Sequence, residues 1–191
     1  MAALAALRPR RPDLAEPRPL ILSRQALPTL DRTKYAPASG VAKGAYVLAD
    51  AVRGNPEVIL IGEVPLCVSV FEQLKAEGIR ARVVSMPSWE LFEQQSKEYR
   101  DSVLPPAVRA RVAVEQASTL GWERYTGTSG EICGMKTFGA SAPLKVLQEE
   151  FGFTKEHIIA VVKAQLAKKS QRIRSARSRM QPRAVSFSVL C

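Results

Sequence analysis

Reactive and cross-linking side chains are scarce in this sequence, with one histidine and three cysteines in 191 residues. Cys67, Cys133 and Cys191 are odd in number and far apart. That spacing offers neither a disulfide framework nor a C-x-x-C metal site, and it points to a reducing, cytoplasmic setting. Cys67 and Cys133 fall within a predicted helix and a predicted strand and read as packing residues. The lone histidine, His157, has a side chain suited to proton transfer near neutrality but no evident partner. Its place in the first turn of an amphipathic helix makes it a surface or satisfied core residue. No apolar run approaches the roughly 18 residues that span a bilayer, so a soluble protein is expected. The opening MAALAALRPRRPDLAEPRP carries its arginines after the apolar stretch, which is the wrong order for a secretory signal. Asp13 and Glu16 likewise argue against a transit peptide.

Acidic residues are absent from Lys168 onward, and this absence explains most of the formal charge of +10. Between Pro19 and Ala167 there are 17 lysines and arginines against 16 acids, while the tail holds seven basic residues and no acid. The globular part is therefore nearly neutral. A basic tail can release counterions from nucleic acid or an anionic lipid surface. No aromatic platform interleaves the Arg174–Arg183 run, so only weak, salt-sensitive nucleic-acid contact is expected, and no membrane partner.

With 46% hydrophobic and 24% charged residues, the chain has the composition of a folded domain. Residues 1–18 read as an irregular segment. Leu20–Ser23 is a short apolar strand running into Arg24 and ended by Pro28. Residues 34–44 have the composition of a linker. From Ala45 strands alternate with helices: AYVLAD, EVILIG, IRARVVSM, ARVAVEQA and EICGM are the strand candidates. VPLCVSVFEQLKAEG forms a helix between Pro65 and Gly78, and SWELFEQQ another with Ser88 as its cap. APLKVLQEEF and TKEHIIAVVKAQL complete the set, the last capped by Thr154 with Ile158, Val162 and Leu166 on one face. This order predicts a three-layer α/β/α domain with a mainly parallel sheet. The basic tail, 168–191, shows no helix period and is expected to be disordered. Trp89, Trp122 and Phe138 read as core or interface aromatics. Glu115, at the end of a strand, reads as a structural hydrogen-bonding acid.

Four stretches, SRQALPTLDRTKYAPASGVAKGAYVLADA, ARVVSMPSWELFEQQSKEYRDSVLPP, STLGWERYTG and FGASAPLKVLQEEFGFT, resemble the carboxy-terminal third of a bacterial transketolase. The match runs in order from about Pro19 to Leu166. The SRQALP and GASAP motifs favour transketolase over the dehydrogenase beta subunits that share the fold. The resemblance implies that residues 19–33 close a pyrimidine-binding domain and that 45–167 form the transketolase C-terminal domain. It implies ketol transfer between sugar phosphates in the pentose phosphate pathway by the complete enzyme, with thiamine diphosphate and magnesium or calcium. Arg24 is then the substrate phosphate-binding residue, through a guanidinium whose planar fork pairs two phosphate oxygens. The cofactor carries the hard chemistry in such enzymes, and the regions that position it do not precede Arg24 here. The chain alone is expected to be inactive, without catalytic, cofactor or metal residues of its own. Its partners would be a second copy or the missing transketolase domains. A non-catalytic dimerisation or interaction module with a basic tail is the alternative reading. Two departures stand out: the turn in IGEV is shorter than the family's, and the basic tail extends beyond the family's usual end.

Overall fold

The computed structural model describes residues 26–180. The apolar run Leu20–Ser23, the phosphate-anchor candidate Arg24, residues 1–18 and residues 181–191 lie outside the described residues. Five strands, β1 (Tyr46–Ala49), β2 (Val58–Gly62), β3 (Ala81–Ser85), β4 (Arg111–Ser118) and β5 (Glu131–Met135), form one sheet in the order β1-β3-β2-β4-β5. Strands β2 to β5 pair in parallel, and β1 lies antiparallel to β3 at one edge. The helices are α1 (Val64–Ala76), α2 (Trp89–Glu93), α3 (Lys97–Val103), α4 (Glu123–Thr126), α5 (Leu144–Glu150) and α6 (Lys155–Met180).

Alternation along β2 explains the three layers. Val58 and Leu60 pack with Cys67, Phe71 and Leu74 of α1 and with Ile158 and Val162 of α6. Ile59 and Ile61 point the other way, onto Phe92 of α2, Val103 of α3 and Trp122 at the start of α4. A strand covered on both faces must be apolar throughout, and VILI is. Each fully buried aliphatic side chain here is worth roughly 1.5–3 kcal/mol of transfer free energy. The expected mainly parallel α/β/α architecture is borne out.

Local chemistry sets the helix ends. Helix α1 opens with Pro65 in its first turn, where the missing N–H is not needed. It closes with Gly78 in the left-handed region at φ 76°, the Ile79 N–H reaching Leu74 O at 2.9 Å and the Gly78 N–H reaching Lys75 O at 3.1 Å. Ser88 Oγ accepts the Leu91 N–H at 3.3 Å and Thr154 Oγ1 accepts the His157 N–H at 3.3 Å, so both expected caps are present. Helix α3, capped by Ser96, is an element that the apolar periodicity does not announce.

The 34–44 segment has a linker's composition but is packed down. It contains a 3-10 turn, Ala38–Lys43, and Tyr35, Ala36 and Val41 contact the core. The Tyr35 hydroxyl donates to Glu72 Oε1 at 2.6 Å, and burial together with this carboxylate pushes the phenol up to about 12.

Two arginines in strands hold the helical layer to the sheet. Arg82 of β3, 9% exposed, pairs both Asp50 oxygens at 3.0 and 2.7 Å and donates to the Ser102 and Val103 carbonyls at 2.6 and 3.0 Å. Arg111 of β4 donates to the carbonyls of Val108, Tyr125, Leu104 and Pro105 at 2.7–3.0 Å. No other side chain offers five donors in a rigid fork, so these arginines satisfy loop carbonyls that the sheet cannot.

One expectation fails in the basic tail. Helix α6 continues to Met180, so residues 168–180 are helical and not disordered. The reason lies in residue type: KKSQRIRSARSRM holds no glycine or proline, and six of its thirteen residues are lysine or arginine, which favour helix. Pro182 is the first breaker.

Candidate functional site

In a parallel sheet, ligands gather at the carboxyl ends of the strands. There β2, β3 and β4 open onto a cleft of about 560 Å³ lined by Ala26, Leu27, Glu63, Met86, Glu115 and Leu144, among others. The shortened IGEV turn builds its floor. Strand β2 passes into α1 through Gly62 at φ 111°, and a Cβ at this position would lie 2.2 Å from Val114 O on β4. The Glu63 N–H then donates to that same carbonyl at 2.8 Å. Glycine is thus required twice over, for its φ and for the close approach.

This junction places two carboxylates in the cleft. Glu63 occupies the N-cap of α1 without making a side-chain capping bond, and Glu115 ends the buried part of β4. Both are half-buried. Burial raises both above the ordinary glutamate range, and the Glu115 charge raises Glu63 further. Among the described residues Glu115 makes no side-chain hydrogen bond, so the structural bond expected for it is not seen there. Glu63 went unremarked in the sequence; the signal for it was an acid directly after an apolar strand in a parallel sheet. Among the described residues that line it, the cleft holds these two carboxylates and no lysine or arginine.

A second groove of about 460 Å³ runs along β5 against α6 and includes Cys133, His157 and Lys168. Burial pushes the Cys133 thiol up to about 11 and that of Cys67 higher still, so neither is a thiolate nucleophile. His157 is exposed on the rim. Trp89 and Trp122 meet edge to face at 5.1 Å and belong to the core, whereas Phe138 is 98% exposed. None of these brings a catalytic pair together.

Residues 44–154 match the transketolase-like TK C-terminal domain, more than half of the chain. The chain belongs to the transketolase family. It is 49% identical over 156 residues to the transketolase of Geobacillus stearothermophilus, covering 80% of this chain and 23% of that protein. It is 51% identical over 150 residues to transketolase 1 of Escherichia coli K12, covering 77% of this chain and 22% of that protein. The crystal structure of the Pichia stipitis transketolase complex with sedoheptulose 7-phosphate superposes with a TM-score of 0.68 at 32% identity, over 78% of this chain and 21% of that one. The chain therefore spans about a quarter of the length of the transketolases it matches. This family membership accords with the transketolase reading rather than with a free-standing interaction module.

Transketolases imply thiamine diphosphate and a divalent metal in the complete enzyme. The residues described do not fit that group: no cluster of three or more His, Cys, Asp or Glu side chains stands together among them, and those lining the cleft at the ends of β2, β3 and β4 include two carboxylates and no lysine or arginine. Also among the described residues, no helix is long and apolar enough to cross a membrane.

The carboxylate pair has a measurable consequence. A glutamate whose pKa is raised by folding binds more protons in the native state than in the unfolded one, so stability falls as pH rises from the ordinary glutamate pKa through the raised one. Exposed acids such as Glu77, held low by Lys163 and Gln73, act in the opposite sense. The difference between parent and variant isolates the pair. The double variant E63Q/E115Q should gain stability relative to the parent as pH rises from about 4 to 7. Urea midpoints measured across that range test this, and a difference that does not change with pH contradicts it.

Proposed function

We propose that this chain is the C-terminal portion of a transketolase whose complete subunit moves a two-carbon ketol unit between sugar phosphates in the pentose phosphate pathway. The observation that carries the reading is the near-50% identity to transketolases over four fifths of the chain. The complete enzyme would use thiamine diphosphate with magnesium or calcium, held by domains other than this one. Arg24 would reach the phosphate of the sugar. What supports this assignment is the SRQALP motif and the fit of a guanidinium fork to a phosphate. The role of residues 45–167 is architectural, with 34–44 as the strap from the pyrimidine-binding domain. The working form would be an oligomer containing the missing domains, in the cytoplasm; the free thiols of Cys67 and Cys133 suit a reducing compartment.

The purified chain, supplied with thiamine diphosphate, magnesium and a ketose phosphate donor with an aldose phosphate acceptor, should show no ketol transfer above the uncatalysed background. Measurable turnover by the chain alone contradicts the architectural role.

A further inference from the structure

We infer that the sheet continues from one copy of this chain into a second, β5 pairing antiparallel with the partner's β5 across a two-fold axis. In this pair α6 packs beside the partner's α6, and the basic end of α6 lies along the partner's Glu149, Glu150 and Glu156. The interface does not depend on the transketolase reading.

The two edges of the sheet differ. The β1 edge is four residues long, is irregular between Val47 and Ala49, and is covered by the preceding chain, whose Ala36 N–H donates to the Leu48 carbonyl at 3.0 Å. Short, irregular and covered edges resist pairing. At the other edge, every residue from Glu131 to Thr137 lines the 460 Å³ groove beside α6. Side chains of a strand alternate between its faces, so consecutive residues border one groove only where that groove follows the strand's edge. All five residues of β5 are accordingly half-buried, whereas β3 inside the sheet is wholly buried. Among the described residues no strand pairs with β5 beyond β4. The other wall of the groove is α6, with half-buried Val161 and exposed Ala164. A two-fold axis normal to the sheet sets both α6 helices antiparallel on one face of the joined sheet. Since α6 lies over β4 and β5 and strands are about 4.8 Å apart, the two helices come to about 10 Å, a normal packing distance.

Charge selects a second copy as the occupant. Gln165 Nε2 and Lys168 Nζ meet Glu131 Oε2 at 3.2 and 3.5 Å, so α6 passes the amino end of β5 there. The residues from Lys168 to Met180 carry the helix about 18 Å farther. That stretch holds Lys168, Lys169, Arg172, Arg174, Arg177 and Arg179 and no acid. In an antiparallel pair the amino end of one β5 adjoins the carboxyl end of the other. At the carboxyl end Glu149, Glu150 and Glu156 stand exposed, and Glu150 lines the groove. Lys155, between them, is turned to Gln73 Oε1 at 3.4 Å. One axis thus brings the basic end of each α6 to the acids of the other copy, twice over.

Sedimentation equilibrium of the full chain tests the interface. The unaltered chain should form dimers that dissociate as salt is raised. A164E, at an exposed position of low folding risk, should weaken the dimer roughly tenfold or more, and so should each charge reversal, E149K/E150K and R172E/R174E. The two reversals combined in one chain should restore association to within a few-fold of the parent. V52D, in the loop after β1 at the other edge and 76% exposed, should leave it unchanged. Circular dichroism checks the folding of each variant. Hydrogen exchange reads the strand pairing itself: amides of Glu131–Met135 should gain protection as the dimer forms, which helix contact alone would not produce. A chain that stays monomeric overturns the inference and would mean that another part of the chain covers the β5 edge. It is equally overturned by a dimer indifferent to A164E, by combined reversals that associate no better than either alone, or by β5 amides that gain no protection.

Discussion

Gly62→Ala should destabilise the chain by about 4 kcal/mol or more, a large share of the 5–15 kcal/mol that usually separates a folded domain from its unfolded state. Two effects add. The residue sits at φ 111°, where an L side chain is strained, and its Cβ would lie 2.2 Å from the Val114 carbonyl oxygen. That oxygen belongs to β4, an inner strand paired on both sides, and it accepts the Glu63 N–H at 2.8 Å, so neither partner can retreat without breaking the sheet. Gly78→Ala is the control: φ is 76° there, but nothing lies within 4 Å of the added Cβ. Strain alone should cost it about 1 kcal/mol. For a chain of this size the first change should lower the melting temperature by about 10 °C or more and the second by only a few degrees. Urea unfolding of both variants checks the contrast. Equal losses would mean that the short β2–α1 junction is looser than the geometry describes.

This junction shows how the shortened turn folds. The resemblance implies a turn in IGEV shorter than the family's. In the structure the chain enters α1 directly, with Pro65 in the first turn and Gly62 against β4. The short turn opens onto the cleft, and β2 keeps its pairing with β4 up to Gly62 and Val114.

Much of the fold was legible because its signals are local. VILI and ARVAV announce strands buried on both faces, and Ser88, Thr154, Pro65 and Gly78 announce helix ends. Less legible was what depends on distant partners. Helix α3 is seven residues long and mostly polar, so only its Ser96 cap and the prolines after it mark it. The place of β1 beside β3, antiparallel, follows from the sheet and not from YVLA. Arg82 and Arg111 look in sequence like charges to be counted, and their work is visible only once the carbonyls of Ser102, Val103, Leu104 and Tyr125 surround them. The cleft was half legible: Glu115 stood out at a strand end, but its coupling to Glu63 requires β2 and β4 to be neighbours. The α6 extension shows a limit of charge reasoning, since a run of like charge is still built from helix-forming residues.

The same contrast between local motif and distant partner governs Arg24. Its motif is read from eleven contiguous letters, LSRQALPTLDR, whereas the pocket it would serve belongs to domains beyond this chain. A hybrid therefore tests it best, with residues 19–167 of this chain replacing the matching segment of the Geobacillus stearothermophilus transketolase. The hybrid should fold and transfer ketol units between sugar phosphates when supplied with thiamine diphosphate and magnesium. Within it, Arg24→Ala should lower kcat/KM for phosphorylated substrates by roughly 10- to 100-fold, the loss expected when a charged hydrogen-bonding pair worth about 1.5–3 kcal/mol is removed. Because the phosphate is remote from the reacting carbons, substrates lacking it should be far less affected. Arg24→Lys should recover only part of the loss, since an ammonium keeps the charge but not the fork.

The decisive measurement is the steady-state rate of ketol transfer by that hybrid, beside the rate of the chain alone. The account predicts turnover in the hybrid, sensitive to Arg24→Ala, and none in the isolated chain. A hybrid that folds and binds thiamine diphosphate yet does not turn over would contradict it, as would a hybrid indifferent to the loss of Arg24.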